Sequence, residues 1–222
     1  MKLSEHTVEV LKNFATINQN LVIKEGNTLT TMSAMKNIVA KAEVSESFEK
    51  EVAIYDLNEF LASLSLFKSP VLEFDESFVT IKEENTTTSL KYFYSDPSVV
   101  TTPSKTIKMP SKEVTFSLKG EDLTKLKRAA GVIGAPDLVL EKKDTGSFLT
   151  VKDKKNDTAN TFSLDVTTTS EGNFNCFFTV ENLKVMDGNY DVEISSKNIS
   201  HLASSNKEVE YWVALEPESV YE

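Results

Sequence analysis

The chain has 222 residues, 40% hydrophobic and 26% charged, which excludes wholesale disorder and leaves room for one large domain or two of half that size. Its 34 acidic and 24 basic residues give a formal net charge of −10, and on that number alone a nucleic-acid binder ranks last. Cys176 is the only cysteine, which excludes an intrachain disulfide and a cysteine-rich zinc site, and no apolar run approaches the ~18 residues of a membrane span. The opening Met1-Lys2-Leu3-Ser4-Glu5 holds no apolar signal-peptide core, so the expectation is a soluble protein of a reducing, intracellular compartment.

The first element reads as a helix. Ser4 is a good N-cap, and Val8, Leu11 and Ala15 recur at helical spacing, with Val10, Phe14 and Ile17 widening the apolar stripe. Residues 21–23 and 29–32 flank Gly26-Asn27 and suggest a hairpin, followed by short β segments at 38–44 and 48–55. Asp56 caps a second predicted helix, 57–67, which Ser69-Pro70 stops. Strands return at 71–74, 78–82 and 89–94. Residues 96–105, with two prolines and no helical period, read as an extended connector that continues to Pro110.

The pattern then starts again. A strand at 114–118 leads into a helix at 121–133, with Leu123, Leu126, Ala130 and Ile133 apolar. Residues 138–140 and 148–152 flank a turn at Gly146. Strands follow at 161–167 and 174–180, then a short helix at 181–186, then strands at 190–195 and 209–215. Each half runs helix, strands, helix, strands, an internal structural repeat of domain size. The predicted fold class is α+β: two similar domains, 1–95 and 113–222, joined by a connector at 96–112, each with antiparallel sheets and two helices.

Reactive groups are scarce. His6 and His201 read as surface or capping residues, and Gly131-Val132-Ile133-Gly134 reads as a helix end rather than a phosphate loop. Glu49, Glu51 and Asp56 read as solvated rather than metal-binding. No catalytic residue, metal ligand or cofactor is assigned, which favours a binding or scaffolding protein over an enzyme.

Several segments carry a resemblance: Met1-Lys2-Leu3-Ser4, Leu11-Lys12-Asn13-Phe14-Ala15-Thr16-Ile17-Asn18, Val52-Ala53-Ile54-Tyr55-Asp56-Leu57-Asn58, Asp96-Pro97-Ser98, Gly188-Asn189-Tyr190 and Val213-Ala214-Leu215-Glu216. In that order, across the whole length, they resemble the sliding clamps, the DNA polymerase processivity factors, of T-even-type bacteriophages. The resemblance implies two copies of a processivity fold per subunit and a homotrimer closed head to tail into a ring. Twelve helices would line the hole, with sheets outside. It implies duplex DNA, a replicative polymerase, a clamp-loader ATPase and late-transcription factors as partners, no membrane, and the cytoplasm of an infected bacterial host. An acidic, β-rich phage structural or adaptor protein without a DNA role is the alternative, and an enzyme with an unrecognised site is a third.

A sliding ring needs diffuse positive charge toward phosphates and no base readout, for which lysine suits better than arginine. Arg128 is the only arginine, though a bias that covers the whole chain explains that equally well. By position, Lys12, Lys125, Arg128 and Lys184 are the expected DNA-facing residues, with Lys2, Lys68, Lys119 and Lys127 behind them. Residues 119–128 hold four basic and two acidic residues, residues 2–17 two of each, and the second helix carries Ala62 and Ser65 where a basic face is expected. The resemblance places a partner-peptide pocket loosely at 99–107, including Val100, and at Trp212, Ala214 and Leu215. Trp212 reads equally as pocket wall or core. It places the subunit interface on edge strands around Tyr92, Phe93 and Tyr94 and around Phe162 and Leu164, which intradomain packing explains equally well. Read this way, a charge of −10 excludes only an adhesive, wrap-around DNA binder.

Overall fold

A computed structural model describes residues 1–103, 106–170 and 172–222; residues 104 and 105 of the expected connector lie outside the described residues. The chain divides into two compact units, Met1–Lys105 and Thr106–Glu222.

The first unit opens with helix α1, Glu5–Ile17, whose N-terminus is capped as expected: the Thr7 N–H donates to Ser4 Oγ at 3.2 Å. Val10, Leu11, Phe14 and Ile17 form its buried stripe. Strands β1 (Leu21–Ile23), β2 (Gly26–Met32), β3 (Ile38–Phe48) and β4 (Val52–Ile54) follow. The expected hairpin across Gly26-Asn27 does not form. β1 pairs antiparallel with β4, and β2 with β3. The reason is burial: β1 and β4 are each buried at every residue, whereas β2 only alternates. Fully buried strands match one another, and Gly26, at φ +108°, redirects the chain between them. β3, with 11 residues, runs past the expected 38–44 segment to Phe48, and β4 forms only at 52–54 of the expected 48–55.

Asp56 caps helix α2, Leu57–Ser65, accepting from the N–H groups of Asn58 and Glu59 at 2.9 and 3.0 Å. The helix ends two residues before the expected limit. An antiparallel meander closes the unit: β5 (Pro70–Phe74), β6 (Phe78–Glu83) and β7 (Ser89–Phe93), with β6 central. A short 3-10 turn, Pro97–Val99, leads to Val100, which packs with Val22 and Ala53.

The second unit begins with β8 (Val114–Leu118) and helix α3 (Gly120–Ile133), which buries Leu123, Leu126 and Ala130 and stops at Gly134 in the left-handed region, φ +68°. The α3 start is pressed against the backbone of Gly188: a Cβ on Gly120 would stand 2.8 Å from the Gly188 carbonyl oxygen. β9 (Asp137–Lys143) and β10 (Gly146–Lys152) form the expected hairpin, with Gly146 at φ +139°. β11 (Phe162–Val166), β12 (Phe174–Thr179), β13 (Tyr190–Ser195), β14 (Ile199–Ser204), β15 (Val209–Ala214) and β16 (Val220–Tyr221) complete it. One sheet runs β11-β10-β9-β12-β16. In another, β14 joins β13 to β15, and β13 also pairs with β8.

The helix expected at 181–186 is absent; only a 3-10 turn, Val180–Asn182, forms. Two tyrosines explain this. The Tyr190 hydroxyl donates to the Met186 carbonyl and the Met186 N–H donates to the Tyr211 hydroxyl, 2.5 and 3.2 Å, so side chains take the groups a helix would use. Two helices per half is therefore corrected to two in the first unit and one in the second among the described residues. The helix count of twelve expected for a trimer falls with it.

Candidate functional site

The expected DNA-facing residues lie on outward surfaces. On α1, Lys12 is exposed on a face it shares with exposed Glu5 and Glu9. On α2 the exposed residues include Asn58, Glu59, Ala62 and Ser65, without a cation. On α3, Lys125 and Arg128 are exposed three residues apart, beside Glu121. Lys125 meets Asp122 at 3.5 Å, a surface pair of little energetic weight. Lys184 is exposed on the irregular segment after the 3-10 turn rather than on a helix.

Two of the weaker candidates are otherwise engaged. Lys2 is paired with Glu84 at 2.6 Å. Lys127 is half-buried within the second unit and donates to the Val185 carbonyl at 3.3 Å. Burial holds its ammonium below the usual lysine range, against a smaller opposing pull from Asp187. Lys68 and Lys119 remain at the surface.

Of the pocket residues, Val100 is 7% exposed in its cluster with Val22 and Ala53, inside the first unit. Trp212 is 9% exposed on β15, its ring stacked on His201 with centroids 4.9 Å apart. His201 sits between two carboxylates, 2.8 Å from Glu210 and 3.5 Å from Glu193. Ala214 is half-buried and Leu215 buried.

The interface residues other than Tyr94, which directly follows β7, fall on two strands that each end a sheet. β7 pairs with β6 on one side, and β11 with β10 on one side. Tyr92 packs edge-on against Phe60 and donates its hydroxyl to the Asp56 carbonyl at 3.0 Å; Phe93 is 66% exposed. Tyr94 is half-buried, and burial pushes its hydroxyl up to about 12. Phe162 and Leu164 are half-buried on the inner face of β11. Beside them opens a cleft of about 680 Å³, floored by Phe116, Leu118, Leu149 and Leu164 and edged by Lys119 and by the carboxylates Asp122, Asp165, Asp191 and Glu193.

Sequence reasoning missed two charged residues with several partners each, Glu46, which is buried, and Lys154, which is half-buried. Glu46, on the inner face of β3, accepts from the Ser4 N–H, the Thr7 hydroxyl and, at 3.2 Å, the Ser45 hydroxyl. Burial raises its carboxyl, but the Thr7 hydroxyl, the Ser4 N–H and hydroxyl and its own N–H together outweigh that and hold it below the usual range. Lys154 gathers Asp137, Glu216 and Glu218 at 3.6, 3.8 and 2.5 Å, tying the C-terminal segment to the start of β9. Neither residue lies in a motif; the only signal for Glu46 is its place at an inward position of an alternating strand. Among the described residues no group of three His, Cys, Asp or Glu side chains could hold a metal ion. Among the described residues no helix is long and apolar enough to cross a membrane.

Residues 2–101 match the family described as DNA polymerase processivity factor, and residues 115–217 match the family described as gp45 sliding clamp, C terminal. The chain is 34% identical to the sliding clamp of Vibrio phage KVP40 over 97% of this chain and 99% of that one. It is 30% identical to the sliding clamp of Escherichia phage RB69 and 31% to that of Enterobacteria phage T4, over the full length of both partners in each case. Two solved structures share the fold: proliferating cellular nuclear antigen from Entamoeba histolytica (TM-score 0.66, 13% identity, 95% of each chain) and the A. fulgidus homologue bound to the C-terminal region of FEN-1 (TM-score 0.69, 15% identity, 96% of each chain).

Proposed function

From the premise that the chain belongs to the phage sliding-clamp family, the DNA polymerase processivity factors, we propose that it encircles duplex DNA and tethers a replicative polymerase. The observation that carries this reading is similarity to three phage sliding clamps that runs from end to end of the chain. The working form is a homotrimeric ring closed head to tail, each junction joining a first unit to the second unit of its neighbour. Open edges on β7 and β11, one in each unit, support that reading. The boundaries 1–95, 96–112 and 113–222 serve it as two clamp domains and their connector.

A ring retains DNA by enclosure, so its inner surface needs little affinity. The charge on the outer helix faces fits that demand: one lysine among glutamates on α1, no cation on α2, a basic pair on α3. Lys12, Lys125, Arg128 and Lys184 then supply weak contacts to phosphates that a sliding ring can make and break. The chain works as an accessory protein without chemistry of its own. An ATP-dependent loader opens and places it, and in the cytoplasm of an infected bacterial cell it also serves late transcription. Partners dock a short peptide near Val100, Trp212, Ala214 and Leu215.

Two measurements test this. Primer extension on a long template, with polymerase and loader present, should give longer products when the protein is added; unchanged product length overturns the tethering role. Once loaded, the protein should stay on a nicked circle and slide off a linear duplex. Equal loss from both removes the ring.

A further inference from the structure

The ring reading needs a β7 and a β11 from different copies to meet, and the two edges themselves specify how. Side chains alternate along a strand, so residues two apart share a face. On β7, Leu90 and Tyr92 are half-buried while Ser89, Lys91 and Phe93 are exposed. On β11, Phe162, Leu164 and Val166 are half-buried while Ser163 and Asp165 are exposed. The inner residues of both strands are apolar yet only half covered, as on sheets that lack a neighbour.

Each strand carries one charged residue, and both are on the outer face. Lys91 is the only cation of β7, its Nζ lying 4.3 Å from the centroid of the Phe78 ring. Asp165 is the only charge of β11. Among the described residues neither has an ion-pair partner. A one-residue slip would turn one apolar face outward, so pairing must keep core face with core face. Of the antiparallel registers that satisfy that demand, two set Lys91 opposite a residue of β11: Asp165 or Ser163. Only the first sets the two unpaired charges directly across from each other, and it places Leu90 opposite Val166 and Tyr92 opposite Leu164.

We propose that the junction between copies pairs β7 of one with β11 of the next in this register, keyed by Lys91 on Asp165. This rests on the ring reading and adds to it a register and an electrostatic key. The cleft beside β11 gives the incoming strand an apolar floor and a mainly acidic rim. Opposed unlike charges favour a cross-strand pair, and like charges in that place oppose it. Pairing β7 with β7, or β11 with β11, has no such key.

Cysteine pairs test the register directly, because opposed residues of an antiparallel pair bring Cβ atoms to about 4.5–5.5 Å. The native Cys176 is fully buried and its thiol is pushed up to about 11 by burial, so it stays silent. The full chain carrying Lys91→Cys and Asp165→Cys should give covalent oligomers on mild oxidation. Cross-linking by Lys91→Cys with Ser163→Cys instead overturns the register, and a cross-linked species of monomer mass overturns pairing between copies. For the charge key, Lys91→Glu and Asp165→Lys should each raise the concentration needed for half-assembly at low salt by about fivefold per junction. The double exchange, K91E with D165K, should return it to within about twofold of the original. If the unaltered protein assembles and the charge variants assemble equally well, the key is refuted while the ring stands. If the unaltered protein stays monomeric at micromolar concentration, the ring reading fails and the junction with it.

Discussion

Replacing Glu46 by alanine should loosen the start of helix α1. The carboxylate is 9% exposed and is the acceptor for the Ser4 N–H and the fully buried Thr7 hydroxyl. Removing it strands the first donor and leaves the second with only Ser4 Oγ, 2.9 Å away. A buried donor without an acceptor costs about 1–3 kcal/mol, and part of that is offset because a buried charge also disappears, so a net loss of about 2 kcal/mol is expected. Amide exchange is the suitable assay, since it reports α1 alone. Protection at Val10, Leu11 and Phe14 should fall by roughly 30-fold. Glu46→Gln, which keeps an acceptor but loses the charge, should cost about half as much. The dependence on pH has a definite sign. The carboxyl is held below its ordinary value in the folded chain, so the unfolded chain takes up the proton first. The contribution is therefore present above about pH 4.5 and is lost as the pH falls through the folded-state value. The Glu46→Ala variant should lack that acid-dependent loss. Unchanged α1 protection in Glu46→Ala, or equal damage from alanine and glutamine, would refute the capping role.

Gly120→Ala should destabilise the second unit by about 1–3 kcal/mol, seen as a lower urea midpoint by Trp212 fluorescence, because the new Cβ meets backbone that cannot rotate away. An unchanged midpoint would show that the α3 start can shift freely. Lys127 has its ammonium held low by burial, so the unfolded chain binds that proton more strongly and stability should rise as the pH climbs through the folded-state value toward about 10.4. Lys127→Met should remove that rise in a comparison of denaturant midpoints from pH 8 to 11. Lys125→Glu combined with Arg128→Glu should shorten polymerase products while leaving the assembly state intact; full product length would take both residues off the DNA-facing surface.

The helices were legible because their signals are local. Ser4 and Asp56 announce their caps, and the apolar spacing of Leu123, Leu126 and Ala130 suffices for α3. Strand pairing was less legible because partners lie far apart. Nothing near Leu21–Ile23 indicates that its neighbour is Val52–Ile54, and a glycine beside it offered a nearer answer. β14 escaped notice because its inward positions are Ser200 and Leu202; the Ser200 hydroxyl is satisfied by the Val213 carbonyl at 2.9 Å, a contact no pattern reveals. The missing last helix has the same kind of cause, since Tyr190 and Tyr211 act on Met186 from other strands. Of the candidate surfaces, exposure of Lys12, Lys125 and Arg128 follows from helical period alone. The position of β7 and β11 at sheet ends does not, because an edge is defined by which strands are absent beside it.

The lone thiol gives the second unit a built-in clock. Cys176 sits in the middle of β12, flanked on one side by β9, with no solvent contact and a suppressed thiolate. A thiol reagent can reach it only after β12 leaves its neighbours, so the labelling rate in native buffer counts openings of that sheet one molecule at a time. Because the chain has no second cysteine to confuse the signal, the same reaction, run with and without a binding partner, would time how firmly that partner holds the sheet closed.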